Sequence, residues 1–77
     1  MIELLEYITR NITGNEKVKV EEQDSGDLII YLIKAPKEVM GMLIGKEGRT
    51  IRAIRTLART RAIVEGKKIA VEIEEVS

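Results

Sequence analysis

The sequence contains no cysteine, histidine, phenylalanine or tryptophan. Without cysteine and histidine it cannot form disulfides or the usual zinc sites, and it lacks the most common general base of enzymes. Only Tyr7 and Tyr31 are aromatic, which excludes a binding surface built from stacked aromatic rings. Metal-site and catalytic-triad hypotheses are therefore poor, and we expect no metal, no cofactor and no catalytic residues.

Long apolar runs are also absent. The first ten residues, MIELLEYITR, do not combine a basic segment with an apolar run, and no apolar stretch is long enough to span a bilayer. The 77 residues suffice for one small domain, which we place at residues 1–77. These features predict a cytoplasmic protein without membrane contact.

Neither sign of charge is in excess, because thirteen basic residues balance thirteen acidic ones. The two signs are nevertheless separated along the chain. Residues 1–35 carry a net charge of −3, residues 36–68 carry +6, and the remaining residues carry −3. A basic segment flanked by acidic ones is the distribution expected of a nucleic-acid-binding protein.

Hydrophobic periodicity predicts a first helix at about residues 2–12, ended near Gly14, and then a β-hairpin with the turn QDSGD. The first strand alternates over residues 17–21. The second, LIIYLI at residues 28–33, is nearly continuously apolar, which predicts burial on both faces. Pro36 fits the first position of a short second helix, whose apolar side would carry Val39, Met40, Leu43 and Ile44.

A longer third helix is predicted at residues 49–64, and it leads past Gly66 into a last strand in which Ile69, Val71 and Ile73 alternate with polar or small residues. The order is therefore αββααβ, with no repeat or linker. We expect an α+β fold in which the helices pack on a three-stranded sheet.

Gly45 and Gly48 interrupt the pattern between the second and third helices. A glycine inside a helix costs about 1 kcal/mol relative to alanine, so two within four residues indicate a purpose other than stability. They would permit a tight turn and let a phosphate approach the backbone N–H groups at the start of the third helix. A purely structural turn between helices is the alternative explanation.

A stripe of arginines follows this junction. Arg52, Arg55 and Arg59 fall within about 60° of one another on a helical wheel, and the stripe begins beside Lys46 and Arg49. A solvated helix surface is the alternative explanation, but the position next to a helix N-terminus favours anion binding.

A nucleotide-binding loop of the Walker type does not fit. Gly41 and Gly45 precede Lys46 with one residue too few between them, Glu47 stands where serine or threonine would hold magnesium, and a helix replaces the preceding strand.

The stretch LIGKEGRTIRAIR, residues 43–55, resembles the signature of a KH domain. The order αββααβ is similar to the type II form, and the length and element order of the whole chain resemble the small bacterial single-KH proteins of the KhpA family. The resemblance implies a three-stranded mixed sheet packed on one side by three helices. It also implies non-catalytic binding of single-stranded RNA, as an RNA chaperone or post-transcriptional regulator.

The resemblance further implies that residues 45–48 clamp the backbone of about four nucleotides. Main-chain groups near residues 69–71 would read base edges. Ile44 and Ile51, the aliphatic residues beside the loop, would line the groove unless both belong to the core. The candidate RNA-binding residues are Ile44, Gly45, Lys46, Glu47, Gly48, Arg49, Ile51, Arg52, Arg55, Lys67 and Lys68. The charge of Glu47 and the short connection at residues 65–67 predict weak binding with limited discrimination between sequences.

A protein-binding role is the competing hypothesis. On the wheel, Ile63 and Val64 lie away from Ile51, Ile54 and Ala58, so one core cannot bury them all, and spare apolar surface often marks an interface. Proteins resembling KhpA are described as self-associating and as pairing with a larger KH protein, KhpB or Jag. The implied partners are a second copy, giving a homodimer, or a KhpB/Jag-like protein, giving a heterodimer.

An enzyme is the third and least supported hypothesis. Lys46, Glu47 and Ser25 could be named as acid, base or nucleophile, but the sequence pairs no nucleophile with an activating base.

Overall fold

The computed structural model describes residues 1–76, so the last residue of the predicted domain, Ser77, lies outside the described residues. The strands form one sheet in the order β1–β2–β3, with β1 antiparallel and β3 parallel to β2. This mixed sheet and the order αββααβ confirm the predicted α+β, type II KH fold. The elements are α1 (Ile2–Thr13), β1 (Lys19–Asp24), β2 (Ile29–Pro36), α2 (Lys37–Ile44), a 3₁₀ turn (Lys46–Gly48), α3 (Arg49–Val64) and β3 (Ile69–Val76).

The core lies between the helices and one face of the sheet. β2 directs Tyr31, Ile33 and Ala35 into it, and the register brings Val20 of β1 and Val71 of β3 onto the same face. The three helices therefore pack on one side of the sheet, as predicted. Their buried apolar side chains are Leu5, Val39, Leu43, Ile51, Ile54, Ala58 and Ala62.

The prediction that the second strand is buried on both faces is wrong. Burial alternates along β2, and Ile30, Leu32 and Lys34 on the opposite face are only half-buried. On that face the Lys34 Nζ lies 3.0 Å from Glu21 Oε1 and 3.7 Å from Glu74 Oε2, so ion pairs connect all three strands. Flanking strands and charged side chains cover the aliphatic residues of this face only in part. An apolar run in the sequence looks the same whether its residues are partly or fully buried.

Pro36 was also placed incorrectly, because it is the last residue of β2 and α2 begins at Lys37. A proline in a central strand is tolerated only where its missing N–H has no partner. β1 begins at Lys19, which is opposite Lys34, so no residue of β1 lies opposite Pro36. The strand therefore passes directly into the helix, with Pro36 in an extended conformation at φ −62° and ψ 152°.

Two glycine-containing ends set the path of the chain around the sheet. Gly14 adopts a left-handed conformation at φ 66°, and its N–H donates to the Arg10 carbonyl at 2.7 Å, which ends α1. After α3, the Gly66 N–H donates to the Ile63 carbonyl at 3.1 Å, and the Lys67 N–H donates to the Ala62 carbonyl at 2.8 Å. The chain then returns along the helix as β3. None of the helices formed by residues 1–76 is both long and apolar enough to cross a bilayer.

Candidate nucleic-acid interface

The junction between α2 and α3 consists of Gly45, Lys46, Glu47 and Gly48, and three of these four residues have positive φ. The φ and ψ angles are 75° and 173° at Gly45, 57° and 25° at Glu47, and 75° and 17° at Gly48. The Gly45 N–H closes α2 by donating to the Gly41 carbonyl at 2.8 Å, and the Gly48 N–H donates to the Gly45 carbonyl at 3.1 Å. The predicted tight turn between the helices is therefore present.

The two glycines meet different requirements. The combination of φ and ψ at Gly45 is essentially restricted to glycine, and a Cβ there would lie 2.8 Å from the backbone nitrogen of Thr50. A Cβ at Gly48 would meet only the Arg52 Nη2, at 3.9 Å. Gly45 thus lets the junction pack against the first turn of α3, whereas Gly48 leaves open space beside the backbone.

The start of α3 is suited to an anion. No side chain within residues 1–76 caps this end of the helix. The Arg49 N–H donates to the Lys46 carbonyl, and the next N–H groups of the first turn lack intrahelical partners and have no side-chain acceptor. The helix dipole adds a positive potential at the same place. Lys46 and Arg49 are exposed beside it, which adds two cations to the site.

Glu47 introduces the only negative side chain of the junction. Its carboxylate is exposed, and Oε2 lies 3.6 Å from the Arg49 Nη2. Such an exposed pair contributes little to stability, but it partly compensates the charge. The Glu47 carbonyl accepts a hydrogen bond from the Arg52 Nη2 at 3.2 Å, so Arg52 helps to hold the left-handed conformation of this residue.

β3 forms one edge of the sheet, and the ladder shows which of its main-chain groups face outward. Ile29 is paired with Ile69, and the Ile29 N–H donates to the Lys68 carbonyl at 3.1 Å. Because the hydrogen bonds of a parallel ladder alternate, the even-numbered residues of β3 direct their backbone groups toward β2. Ile69 and Val71 direct theirs toward the free edge, where main-chain reading of bases was predicted.

Arg55 occupies part of that edge. This half-buried side chain donates from Nε to the Val71 carbonyl at 3.0 Å. One of the predicted base-reading groups is therefore already hydrogen-bonded within the protein. Arg52 and Arg59 are exposed on either side of Arg55 along α3. A helical wheel cannot reveal the contact with Val71, because that contact depends on how α3 packs against β3.

The two aliphatic candidates have different environments. Ile44, which was also predicted to face the core from α2, is 41% exposed, so the prediction of a core position is wrong. It is the last residue of α2, where the helix ends and the junction turns the chain away. Ile51 is 7% exposed and belongs to the core cluster. Of these two candidates, Ile44 is the one that offers substantial apolar surface beside the junction.

Lys67 and Lys68 lie at the opposite end of α3 from the junction. Both line a shallow hollow of about 250 Å³ together with Arg59, Ile63 and Ile69. The same two lysines also line a second hollow, together with Asp24 and Asp27 at the hairpin turn. The acidic turn reduces the positive potential of these lysines, whereas the ion pair formed at the junction within residues 1–76 is the one between Arg49 and Glu47.

Apolar residues are also exposed on the helical side of the molecule. Leu57, Ile63 and Val64 are 54%, 77% and 82% exposed, so the expectation that Ile63 and Val64 would not join the core is confirmed. They lie in different places. Leu57 and Val64 line a hollow of about 360 Å³ between α1 and α3, with Leu4 and Ile8, whereas Ile63 lies beside Lys67 and Lys68.

The residues named for an enzyme are not brought together. Ser25 lies in the turn of the β-hairpin, where its N–H donates to the Leu28 carbonyl at 2.8 Å. Lys46 and Glu47 lie in the junction between α2 and α3. Within residues 1–76, no group of three or more acidic side chains is arranged to hold a metal ion.

A glycine-containing junction between two helices that pack on a mixed three-stranded sheet, in the order αββααβ, defines a KH-type fold. Residues 2–73 match the family described as "KhpA/KhpB, KH domain". The chain is 42% identical over 76 residues to the RNA-binding protein KhpA of Chlamydia trachomatis, covering 97% of both chains. It is 43% identical over 74 residues to that of Clostridium perfringens (95% of this chain, 99% of the relative), and 36% identical over 76 residues to that of Listeria monocytogenes (97% and 100%). The chain belongs to the KhpA/KhpB family of KH-domain proteins.

Proposed function

We propose that this protein is a non-catalytic RNA-binding protein, a single KH domain over residues 1–77 that acts as an RNA chaperone or post-transcriptional regulator. The observation that carries the proposal is the junction at residues 45–48, where an uncapped helix N-terminus, open space beside Gly48 and exposed cations coincide. Its relatives are named RNA-binding proteins, which supports RNA as the ligand.

In this proposal the residues divide the work along one groove. The junction and the first turn of α3 hold the sugar-phosphate backbone of single-stranded RNA through main-chain N–H groups other than those of Gly45, Gly48 and Arg49, which donate within the protein. Lys46 and Arg49 assist with their charges. Arg52 supports the junction through the Glu47 carbonyl and carries free donors for phosphate. Ile44 supplies an exposed aliphatic contact, and the buried Ile51 shapes the groove from beneath. Lys67 and Lys68 contribute cations at the far end.

The first test removes the positive charge of the junction and keeps both glycines. Lys46→Asp together with Glu47→Asp should abolish binding of fluorescein-labelled single-stranded RNA, measured by anisotropy, and leave the circular dichroism spectrum unchanged. Lys37→Asp with Glu38→Asp makes the same change in charge on two exposed residues at the start of α2. This control should bind normally. Unchanged binding by the junction variant would locate the site elsewhere.

The salt dependence supplies a second test. If about four phosphates are contacted, the logarithm of the association constant should fall with the logarithm of salt concentration at a slope of about −3, since single strands give about 0.7 per contact. The same slope should be shallower for Arg49→Ala. A response to salt that is flat for the unmodified protein would contradict binding through phosphates.

A second candidate function is association with another protein chain, and the exposed Leu57 and Val64 favour it. We propose that the partner is a second copy of the chain or a KhpB/Jag-like KH protein. Association would place two weak RNA sites on one strand and increase the overall affinity through avidity. This function is compatible with RNA binding, because the hollow between α1 and α3 is lined by residues other than those of the junction.

Sedimentation velocity with three proteins tests the association. The unmodified protein should sediment as a dimer, and Val64→Asp should sediment as a monomer if the hollow between α1 and α3 is the contact surface. Ile63→Asp, on the other side of α3, is the matched variant. Dissociation by Ile63→Asp alone would move the contact to the side of Lys67 and Lys68, and a monomer in every case would refute self-association.

A further inference from the structure

Arg55 differs from the other arginines of the stripe because it is half-buried and hydrogen-bonded to a strand of the sheet. A guanidinium carries five N–H donors in a rigid fork, and here the Nε donor is used by the Val71 carbonyl at 3.0 Å. Neither Nη of Arg55 makes a hydrogen bond or an ion pair within residues 1–76. Because the side chain is half-buried, these remaining donors are directed with little freedom.

This arrangement changes what the edge of β3 offers to a ligand. Val71 is only 4% exposed, and its carbonyl already accepts from Arg55. A base that reaches this part of the edge therefore meets the donors of the guanidinium beside a carbonyl whose accepting capacity is already partly used. A side chain that can only donate therefore competes with the amine of a base for this carbonyl.

We propose that Arg55 is a base-selecting residue, which favours bases with two adjacent acceptors and disfavours adenine. The proposal rests on the proposed RNA binding and adds a preference to it. Cytosine presents N3 beside O2, and guanine presents N7 beside O6, so either can receive two donors of a guanidinium. Adenine places its N6 amine beside N1 and beside N7, which directs a donor at the cation.

The test compares two oligoribonucleotides of equal length, oligocytidylate and oligoadenylate, in anisotropy titrations at one salt concentration. The unmodified protein should bind oligocytidylate about tenfold more tightly, the discrimination typical of one bidentate pair. In Arg55→Ala this preference should disappear, because the paired donors of the guanidinium are lost and the Val71 carbonyl no longer accepts from Arg55. The ratio of the two affinities is the readout, so a small loss of folded protein or the self-stacking of oligoadenylate does not affect the comparison between variants.

Two further variants separate selection from charge. Arg59→Ala removes an exposed cation one turn along the same stripe, and it should weaken both oligonucleotides equally and preserve their ratio. Arg55→Lys keeps the charge without the fork and should lose the ratio, so it replaces Arg55→Ala if that variant does not fold. A thermal melt followed by circular dichroism establishes that each variant is folded.

The possible outcomes are distinct. Arg55→Ala could weaken the binding of both oligonucleotides equally and leave the ratio of affinities unchanged. That result would mean that the Arg55 side chain gives up its bond to Val71 and contacts a phosphate, and it would overturn the proposal. A preference of the unmodified protein for oligoadenylate would also overturn it, while RNA binding itself would stand. Absence of binding to either oligonucleotide, even at low salt, would instead refute the proposed function.

Discussion

Replacing Gly45 by alanine should be far more damaging than the same change at Gly48, although both residues belong to the same four-residue junction. At φ 75° and ψ 173°, an alanine at residue 45 would adopt a conformation that costs about 1–3 kcal/mol. Its Cβ would also lie 2.8 Å from the Thr50 nitrogen. Because that atom belongs to the backbone of α3, the helix itself would have to move.

The steric conflict at residue 45 resembles overpacking, which typically costs about 1–3 kcal/mol. Added to the conformational term, it gives a loss of about 2–6 kcal/mol, which is comparable to the roughly 3–5 kcal/mol that a core of this size supplies. At Gly48 the left-handed conformation costs an alanine about 1–2 kcal/mol, and the nearest atom is the mobile end of Arg52 at 3.9 Å. Gly48→Ala should therefore remain folded.

Urea unfolding followed by far-ultraviolet circular dichroism measures both changes. Gly48→Ala should lower the midpoint while the slope of the transition stays the same, and Gly45→Ala should show little or no folded baseline. Equal, small losses for the two variants would refute the reasoning, because they would mean that the junction does not press against Thr50.

Three further results are expected. Glu47→Asn should raise the free energy of unfolding by about 0.5–1 kcal/mol, because asparagine tolerates the left-handed conformation better than glutamate does; a lower urea midpoint would contradict this. Burial, reinforced by the negative charge of Glu22, raises the pKa of Tyr31. The contribution of Tyr31 to stability should therefore be complete below the unfolded pKa of about 10 and should fall as the pH rises through the higher folded value. Tyr31→Phe should remove this fall in alkaline urea titrations. Ile54→Ala, at a site that is 2% exposed, should cost about 2–5 kcal/mol, whereas Ile63→Ala should change stability by less than about 0.5 kcal/mol.

The sequence predicted the helices best because their signals are local. The apolar repeat of α3 and the glycines that flank it gave residues 49–64, and Gly14 ended α1 within one residue of the predicted position. Strand β2 was predicted less accurately. Its end at Pro36 depends on where β1 begins, and the burial of each face depends on which elements cover the sheet, so neither property is encoded within the strand itself.

For the candidate site, the sequence indicated the junction and the arginine stripe but not how the members of the stripe differ. Spacing alone gives Arg52, Arg55 and Arg59 the same status. In the structure Arg52 contacts the Glu47 carbonyl and Arg55 contacts the Val71 carbonyl, whereas Arg59 is exposed. These differences arise from the position of each side chain relative to neighbouring elements, which no pattern within α3 specifies.

The hydrogen bond between Arg55 and Val71 has a consequence for how the molecule avoids other chains. The open side of an outer strand is a template on which another extended segment can pair, and proteins commonly block it with charged side chains. Here the guanidinium of Arg55 lies beside the third residue of β3 and donates to a carbonyl that an added strand would need. An incoming segment would have to break that bond and desolvate a cation, so this side of the sheet resists aggregation by strand addition.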